Sequence, residues 1–374
     1  MRAISFAKPF FSDNAISDIL KDIDQSLRGG WLTSGPKVAE FERSFLEALE
    51  GQAQYAVAVN SCTAALHCIL LGLGIGSGDQ VILPSTTFAA SCNAVLYVGA
   101  HPVLVDVQED TFNMDPEKVR EKITNKTRAI MPVHLAGNPC DMKLLQEIAS
   151  DTRIELIEDC AHAHGAEARG RYCGTFGSAA AFSFYPTKVM TSCEGGMIVT
   201  SDSKIAEKAR VLRNSGRGGY GPQEITALGY NYRMTDIHAI IGLRQLKDLK
   251  TFVRRRNELA EKYKSLLAQT HWISFQSVKP EQVSSYYAFL VLLSEHSPIS
   301  RDRLRASLRS SGIETSILYH PLHLQPIYKT LAREVTAPVS EAIGERSLAL
   351  PMWNGLTGDD LEYVARTFLE IGRA

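Results

Sequence analysis

The chain has 374 residues, of which 45% are hydrophobic and 22% charged, and its formal net charge is −1. This length allows two or three domains with a sizeable hydrophobic core. The near-neutral charge argues against a protein that binds nucleic acid or anionic membranes over a broad surface. No segment approaches the ~20 apolar residues that a membrane span needs.

The N-terminus and the cysteines favour a cytoplasmic protein. The first residues contain no continuous apolar segment and no small-residue cleavage site, so we expect no signal peptide. The seven cysteines are an odd number and form no Cys-x-x-Cys pair. We therefore expect reduced thiols in the cytosol rather than a disulfide framework.

The first 200 residues alternate between helices and short apolar strands. An N-terminal arm and helix lead into a turn-rich loop at 28–36 and a helix at 37–49. After these, the apolar patterns predict strands at 55–59, 80–83, 102–107, 128–133, 155–158, 179–184 and 197–200, and intervening helices at 63–73, 87–98, 116–123 and 142–149. Short strands separated by helices predict an α/β fold with a mostly parallel central sheet that helices cover on both faces.

The remaining residues predict a smaller C-terminal unit. The segment 214–231 contains five glycines, and a loop of this length inside a domain is usually functional. Thr235 is placed to cap a helix that runs to about residue 267, which is longer than a single uncapped helix usually is. We therefore expect a bend or a change of domain near Lys250. The pattern indicates a large α/β domain at 1–250 and a small α+β domain at 251–374, with a strand at 286–293 and helices at 301–310 and 359–371.

Ligands of a parallel sheet lie at the carboxyl ends of its strands, so the residues that follow each strand are the candidates for chemistry. Ser61 and Thr63 open a helix, which suits either a phosphate or plain N-capping. Asp159 ends an apolar strand, where a buried carboxylate requires a cation. The pair His162 and His164 lacks other ligands at metal-binding spacing, so we expect no metal site.

Lys188 follows the strand at 179–184 in an apolar, hydroxyl-rich stretch, where desolvation makes a lysine a good amine nucleophile. Taken alone, such a lysine is more often a solvated surface residue. The combination is more informative, because pyridoxal 5′-phosphate (PLP) needs a phosphate anchor, a carboxylate beneath its pyridine nitrogen and a lysine for its aldehyde carbon. Phe88 follows another strand and offers a ring face for stacking.

The stretches that carry these residues resemble the sugar aminotransferases of the DegT/StrS type, which are fold-type I PLP enzymes. The similar segments have the same order and spacing over most of the chain, and they lie at 60–65, 84–88, 132–135, 157–165, 182–188, 194–200, 229–236 and 321–326. The resemblance implies a PLP-dependent transaminase of deoxyamino-sugar and glycan biosynthesis, such as lipopolysaccharide synthesis.

The resemblance also implies roles for individual residues. Lys188 forms the Schiff base with PLP, Asp159 pairs with the pyridine nitrogen, and His162 lies beside the ring. Phe88 occupies the stacking position, and the phosphate is contacted by Thr63, Ala64 and Ser183. Asn231 resembles a residue that reaches the phosphate from the other subunit, which implies a homodimer with shared active sites. His323 matches a position near the substrate.

The expected substrates are an amino-acid donor, taken as L-glutamate, and a nucleotide-linked keto sugar. Arg217 and Arg233 are candidate diphosphate contacts or ordinary surface arginines. The loop at 31–36 resembles that of relatives acting on 4-keto-6-deoxy sugars, although it also suits simple packing of the N-terminal helix. The alternatives are a 3-keto sugar aminotransferase, an amino-acid-only fold-type I enzyme and a non-catalytic PLP-binding regulator. A related dehydratase branch carries His where Lys188 stands.

Overall fold

The computed structural model describes residues 3–218, 224–331 and 335–373. The helices are α1 (Asp13–Gly29), α2 (Pro36–Ala48), α3 (Cys62–Gly72), α4 (Ala89–Tyr97), α5 (Pro116–Lys122), α6 (Met142–Thr152), α7 (Ser203–Arg213), α8 (Asp236–Leu267), α9 (Arg301–Ser310), α10 (Pro338–Arg346) and α11 (Gly358–Arg373). The strands are β1 (Tyr55–Val59), β2 (Gln80–Pro84), β3 (His101–Val105), β4 (Thr127–Ile130), β5 (Glu155–Asp159), β6 (Glu167–Ala168), β7 (Arg171–Tyr172), β8 (Ala179–Ser183), β9 (Gly196–Thr200), β10 (Ile273–Phe275), β11 (Gln282–Val283), β12 (Phe289–Leu293) and β13 (Ser347–Leu350). In these residues no helix combines the length and apolar character needed to cross a bilayer.

A seven-stranded sheet with the order β1-β9-β8-β5-β4-β2-β3 forms the centre of the molecule. Strand β9 runs antiparallel to both of its neighbours, and the other pairs are parallel. The prediction of a mostly parallel sheet is therefore confirmed. Because β9 is reversed, its first residue, Gly196, lies opposite the last residues of β1 and β8, Val59 and Ser183. The start of β9 thus joins the edge at which the parallel strands end.

Helices cover both faces of this sheet, as predicted. Residues of α3, α4 and α7 form one apolar layer with the strands, and residues of α2 and α8 form another. Side chains from the strands alternate between these two layers, since neighbouring residues of a strand point to opposite faces. Both layers are largely composed of fully buried aliphatic and aromatic residues.

A smaller antiparallel sheet, β10-β12-β13, packs with α9, α11 and the second half of α8. Helix α8 is continuous over all of its 32 residues, so the helix is not interrupted near Lys250, where the sequence predicts a bend or a change of domain. Its first half is buried against the central sheet layer, and its second half is buried in the apolar cluster of the smaller sheet. The Thr235 hydroxyl caps the start of the helix by accepting the His238 N–H at 3.2 Å, as the sequence predicts. The division at residue 250 remains a prediction.

Candidate active site

A cavity of about 350 Å³ lies at the edge where β1, β5 and β8 end. Six residues predicted from the sequence line it, namely Thr63, Phe88, Asp159, His162, Ser183 and Lys188. Glu194 and Gly195 also line the cavity, because the antiparallel β9 begins at this edge. The parallel order of the sheet therefore brings together residues that are more than 100 positions apart in the chain.

Asp159 ends β5 and is only 4% exposed. Its Oδ2 accepts a hydrogen bond of 2.7 Å from the Ser91 hydroxyl, and its Oδ1 accepts one of 3.0 Å from the Ala161 backbone N–H. Burial raises the pKa of this carboxyl, while these hydrogen bonds and the Lys188 cation oppose the rise. A buried carboxylate at the wall of a cavity is a partner for a cationic group, and a protonated pyridine nitrogen fits this requirement.

Lys188 follows β8 in a tight turn, in which its backbone N–H donates to the Tyr185 carbonyl at 3.0 Å. The side chain is half-buried, and its Nζ lies 4.6 Å from the centre of the Tyr287 ring. A lysine at this distance from an aromatic face makes a cation–π contact. Lys188 and Asp159 thus contribute an amine and a carboxylate to the same cavity.

The N-terminus of α3 is the candidate phosphate site. The Ser61 hydroxyl accepts the Ala64 N–H at 3.1 Å, so this N–H is already satisfied and Ala64 does not line the cavity. The cavity is instead lined by Cys62 and Thr63, whose N–H groups belong to the first turn and have no acceptor within the helix. The hydroxyl of Ser183, at the end of β8, adds a donor. The donor set fits a phosphate dianion.

Gly196 allows this arrangement because β9 starts close to the α3 N-terminus. A Cβ atom at this position would collide with the backbone of Ser61 and Cys62. These contacts are with backbone atoms, which cannot rotate away as a side chain can. Only glycine therefore lets β9 pair with β1 while α3 keeps its place at the cavity.

His162 lies at the cavity wall and is 3% exposed. Its ring stacks on Tyr287 with ring centres 4.1 Å apart and an interplanar angle of 13°. The Tyr319 hydroxyl lies 3.2 Å from His162 Nε2. Neither tyrosine is among the residues predicted from the sequence. Tyr287 belongs to a predicted strand. Tyr319 lies just before the Pro321–Pro326 segment, and its closeness to this matched motif is the only signal in the sequence that could have indicated it.

Phe88 is the N-cap residue of α4, and its side chain is 58% exposed at the cavity mouth. Its ring centre lies 5.7 Å from that of Tyr319. A large apolar ring that remains exposed beside a cavity has a free face, which is what stacking on a bound ring requires. The stacking role of Phe88 remains a prediction.

Three other predicted residues lie outside the cavity lining of a single chain. Asn231 is exposed, and its backbone carbonyl accepts a hydrogen bond of 3.2 Å from the Asn60 side chain. Arg233 donates to the side chain of Asn214 at 3.2 Å, and Arg217 is exposed. Residues 219–223 of the glycine-rich segment lie outside the described residues. The predicted roles of these three residues remain predictions.

His323 is also outside the cavity lining and is 7% exposed. Its Nδ1 lies 2.6 Å from the Ser85 hydroxyl and its Nε2 lies 3.1 Å from a Glu341 carboxylate oxygen. Both ring nitrogens are therefore engaged within the chain. Ser85 follows β2 and is close in sequence to Phe88, so His323 is tied to a strand end that contributes to the cavity.

A second polar cluster lies beneath Asp159. Within the described residues, the only group with metal-ligand geometry is His134, Glu158 and Cys160, whose ligand atoms lie within 4.8 Å of one another. The Glu158 carboxylate already accepts hydrogen bonds from His134 Nε2 and from the backbone N–H groups of Gly174, Phe176 and Gly177. Because its lone pairs are occupied, this cluster is best explained as a structural tie for β5. His162 and His164, from which the sequence predicts no metal site, are not part of this cluster.

The fold and the site together define a PLP-dependent transaminase. The family model of the DegT/DnrJ/EryC1/StrS aminotransferases matches residues 13–369, and the chain belongs to this family. It is 37% identical over 350 residues to a GDP-perosamine synthase of Escherichia coli O157:H7, covering 93% of this chain and 94% of the relative. It is 38% identical over 366 residues to a GDP-perosamine synthase of Caulobacter vibrioides, covering 96% of each chain.

A solved structure from Streptococcus pneumoniae, of a protein assigned as a sugar aminotransferase and captured in its PLP form, superposes with a TM-score of 0.92. The two chains are 30% identical, and the match covers 100% of this chain and 99% of the other. The protein is therefore a sugar aminotransferase with PLP as its cofactor. The predicted family, fold class, enzyme class and cofactor are confirmed.

Proposed function

We propose that the enzyme moves the amino group of an amino acid, L-glutamate, onto a nucleotide-linked keto sugar, with Lys188, Asp159 and His162 as its catalytic residues. The observation that carries this proposal is the position of Lys188 and Asp159 on the wall of one cavity of about 350 Å³. The names of the two GDP-perosamine synthases support a sugar substrate that carries a nucleotide.

The residues of the chain divide the work of the reaction. PLP, when bound, supplies an electron sink for the charge that develops at the reacting carbon. The Asp159 carboxylate holds a positive charge at one end of the cavity, and the hydroxyls of Thr63 and Ser183 hold the phosphate with the first N–H groups of α3. The Lys188 amine takes the proton from the α-carbon of the donor, and positioned proton transfer of this kind contributes ~10²–10⁴-fold to the rate.

We further propose C4 as the acceptor position of the sugar. The support is the loop at 31–36, whose residues resemble those of relatives acting on 4-keto-6-deoxy sugars. The loop is held by Asp236, which accepts the backbone N–H groups of Gly35 and Lys37 at 2.8 Å each. Trp31 remains 60% exposed in this loop. A fixed backbone with an exposed aromatic side chain is suited to sugar contact.

A homodimer with shared sites would explain several exposed apolar residues. The outer face of α1 presents Ile16, Leu20 and Leu27 to solvent, and Leu228 in the glycine-rich segment is 86% exposed. Apolar residues in such patches favour a protein contact. Asn231, the last residue of this segment, is exposed and so is available to a partner subunit. We also propose Arg217, which lies within the segment, and Arg233, which follows its end, as diphosphate contacts.

We place the enzyme in the cytoplasm. All seven cysteines are free, and six of them are buried. Free thiols persist in reducing compartments and are rare in oxidising ones. The expected nucleotide sugar and the amino-acid donor are small polar metabolites.

Absorbance spectroscopy of the PLP-loaded enzyme tests the reaction. Glutamate is expected to bleach the cofactor band, and a 4-keto nucleotide sugar is expected to restore it. Lys188→Ala should abolish both changes, whereas Lys143→Ala, an exposed lysine on α6, should leave them intact. No response of the wild-type enzyme to any amino acid would overturn the transamination, and recovery with 3-keto sugars alone would overturn the C4 assignment.

A further inference from the structure

The wall of the cavity contains three rings, those of His162, Tyr287 and Tyr319, whose arrangement the proposed mechanism does not yet explain. His162 stacks on Tyr287 at 4.1 Å between ring centres and lies nearly parallel to Tyr319, at 6.1 Å and 22°. Both tyrosines come from the part of the chain that follows α8, whereas His162 follows β5. The contacts among these three rings therefore connect the two parts of the chain at the cavity.

Further hydrogen bonds hold the residues around His162 and Tyr287 in place. The Ser285 hydroxyl donates to the His162 carbonyl at 2.7 Å, and the Tyr287 hydroxyl lies 3.3 Å from the Thr187 hydroxyl. Gly137, which has a φ of +87°, lies so close to Ser285 that a Cβ atom at position 137 would overlap the Ser285 hydroxyl. His162 thus has little freedom to turn, and its orientation is set by residues from three segments.

The two ring nitrogens of His162 are in different situations. Nε2 lies 3.2 Å from the Tyr319 hydroxyl, which makes no other hydrogen bond in the part of the chain that the structure describes. Nδ1 is buried and has no protein partner among the described residues. A buried polar atom without a partner is costly, so its partner is expected to come from a ligand.

The surroundings of His162 and Tyr319 determine the charge state of both side chains. Burial, reinforced by Lys188 and His164, lowers the pKa of His162 well below its ordinary value. Burial, together with Tyr287 and Asp159, raises the pKa of the Tyr319 hydroxyl. Both groups are therefore neutral around pH 7. A neutral imidazole carries one proton, so the hydrogen bond at Nε2 decides whether Nδ1 donates or accepts.

We propose that Tyr319 is a positioning residue that donates its hydroxyl proton to His162 Nε2 and thereby fixes the ring proton on Nδ1. If Nε2 carried the proton instead, the hydroxyl proton of Tyr319 would have no acceptor in the described chain. The fixed Nδ1–H is a hydrogen-bond donor for an acceptor oxygen of a ligand in the cavity, either on the cofactor or on the sugar. Tyr287 supports the ring from its face. The ligand half of this inference rests on the proposed function, but the tautomer does not.

Nitrogen NMR of cofactor-free protein labelled with ¹⁵N-histidine tests the tautomer without any reaction. The chain has ten histidines, and His162→Gln identifies the signals of His162 by their loss. The wild-type protein should give the Nδ1–H pattern, and Tyr319→Phe should change it. Tyr263→Phe is the matched control, since Tyr263 is also buried and donates to the Pro351 carbonyl at 3.1 Å. An Nε2–H pattern in the wild type, or an unchanged pattern in Tyr319→Phe, would overturn the proposal.

Ligand binding then identifies the acceptor. Loss of one neutral hydrogen bond weakens an interaction by about twofold to tenfold. If the acceptor lies on the cofactor, Tyr319→Phe should raise the Kd of PLP by this factor. If it lies on the sugar, the Kd of PLP should stay constant and the KM of the sugar should rise. Unchanged values of both constants would refute a ligand contact by Nδ1 even if the transamination itself is confirmed.

Discussion

Replacing Asp159 with asparagine separates the charge of this residue from its shape. The amide keeps an oxygen for the Ala161 N–H and places a donor near the Ser91 hydroxyl, so the two hydrogen bonds of the carboxylate have replacements. The variant loses the negative charge. Two unit charges ~4 Å apart at an effective dielectric constant of ~20 attract by about 4 kcal/mol. Because Asp159 is buried, little of this is lost to solvent screening, and we expect each half-reaction to slow by about 10²–10³-fold.

The same variant should have the opposite effect on the stability of the cofactor-free enzyme. Burial raises the pKa of Asp159, so the folded chain holds this proton at a pH where the unfolded chain has released it. Wild-type stability therefore falls as pH rises from the unfolded pKa, about 3.9, through the raised folded pKa, and the penalty persists above it. Asparagine carries no such penalty. Asp159→Asn should thus melt at a higher temperature than wild type at about pH 8, and the difference should shrink at about pH 4.

Stopped-flow absorbance with glutamate measures the rate of the first half-reaction. Thermal unfolding of the cofactor-free proteins measures the change in stability. Asp106→Asn is the matched control, because Asp106 is also buried but caps the backbone near Ser340 away from the cavity. The control should lose stability while keeping its half-reaction rates. Rates of Asp159→Asn within threefold of wild type would refute the role of the charge.

Three further changes test single features of the site. Lys188→Ala should leave no pyridoxyl adduct on the protein after borohydride reduction and mass spectrometry, and an adduct retained elsewhere would disprove the assignment. Gly196→Ala should destabilise the protein by about 1–3 kcal/mol in denaturant unfolding, since the new methyl group meets the Ser61 backbone, and unchanged stability would contradict the close approach. Phe88→Ala should raise the Kd of PLP by about twofold to tenfold in spectroscopic titration, because one aromatic contact is lost, whereas Phe88→Tyr should retain affinity.

The sequence could identify the residues at the strand ends because local patterns suffice for them. Short apolar runs marked the strands, and polar residues after them marked the carboxyl edge where Asp159 and Lys188 meet. The order of the strands in the central sheet could be predicted from the sequence only in part. Strand β9 runs antiparallel between β8, which is close to it in sequence, and β1, whose paired residues lie more than 130 positions away, and this second pairing could not be predicted from local patterns.

The sequence by itself determined the class of fold, the family and the cofactor, because these follow from local periodicity and from motifs in a fixed order. Only the tertiary structure decided that the two halves of α8 pack in different apolar clusters and that Tyr287 and Tyr319 contact His162. These features result from packing between distant segments, and the free energy of such packing depends on which surfaces meet. The residues of one segment do not indicate which distant segment will pack against it across the cavity.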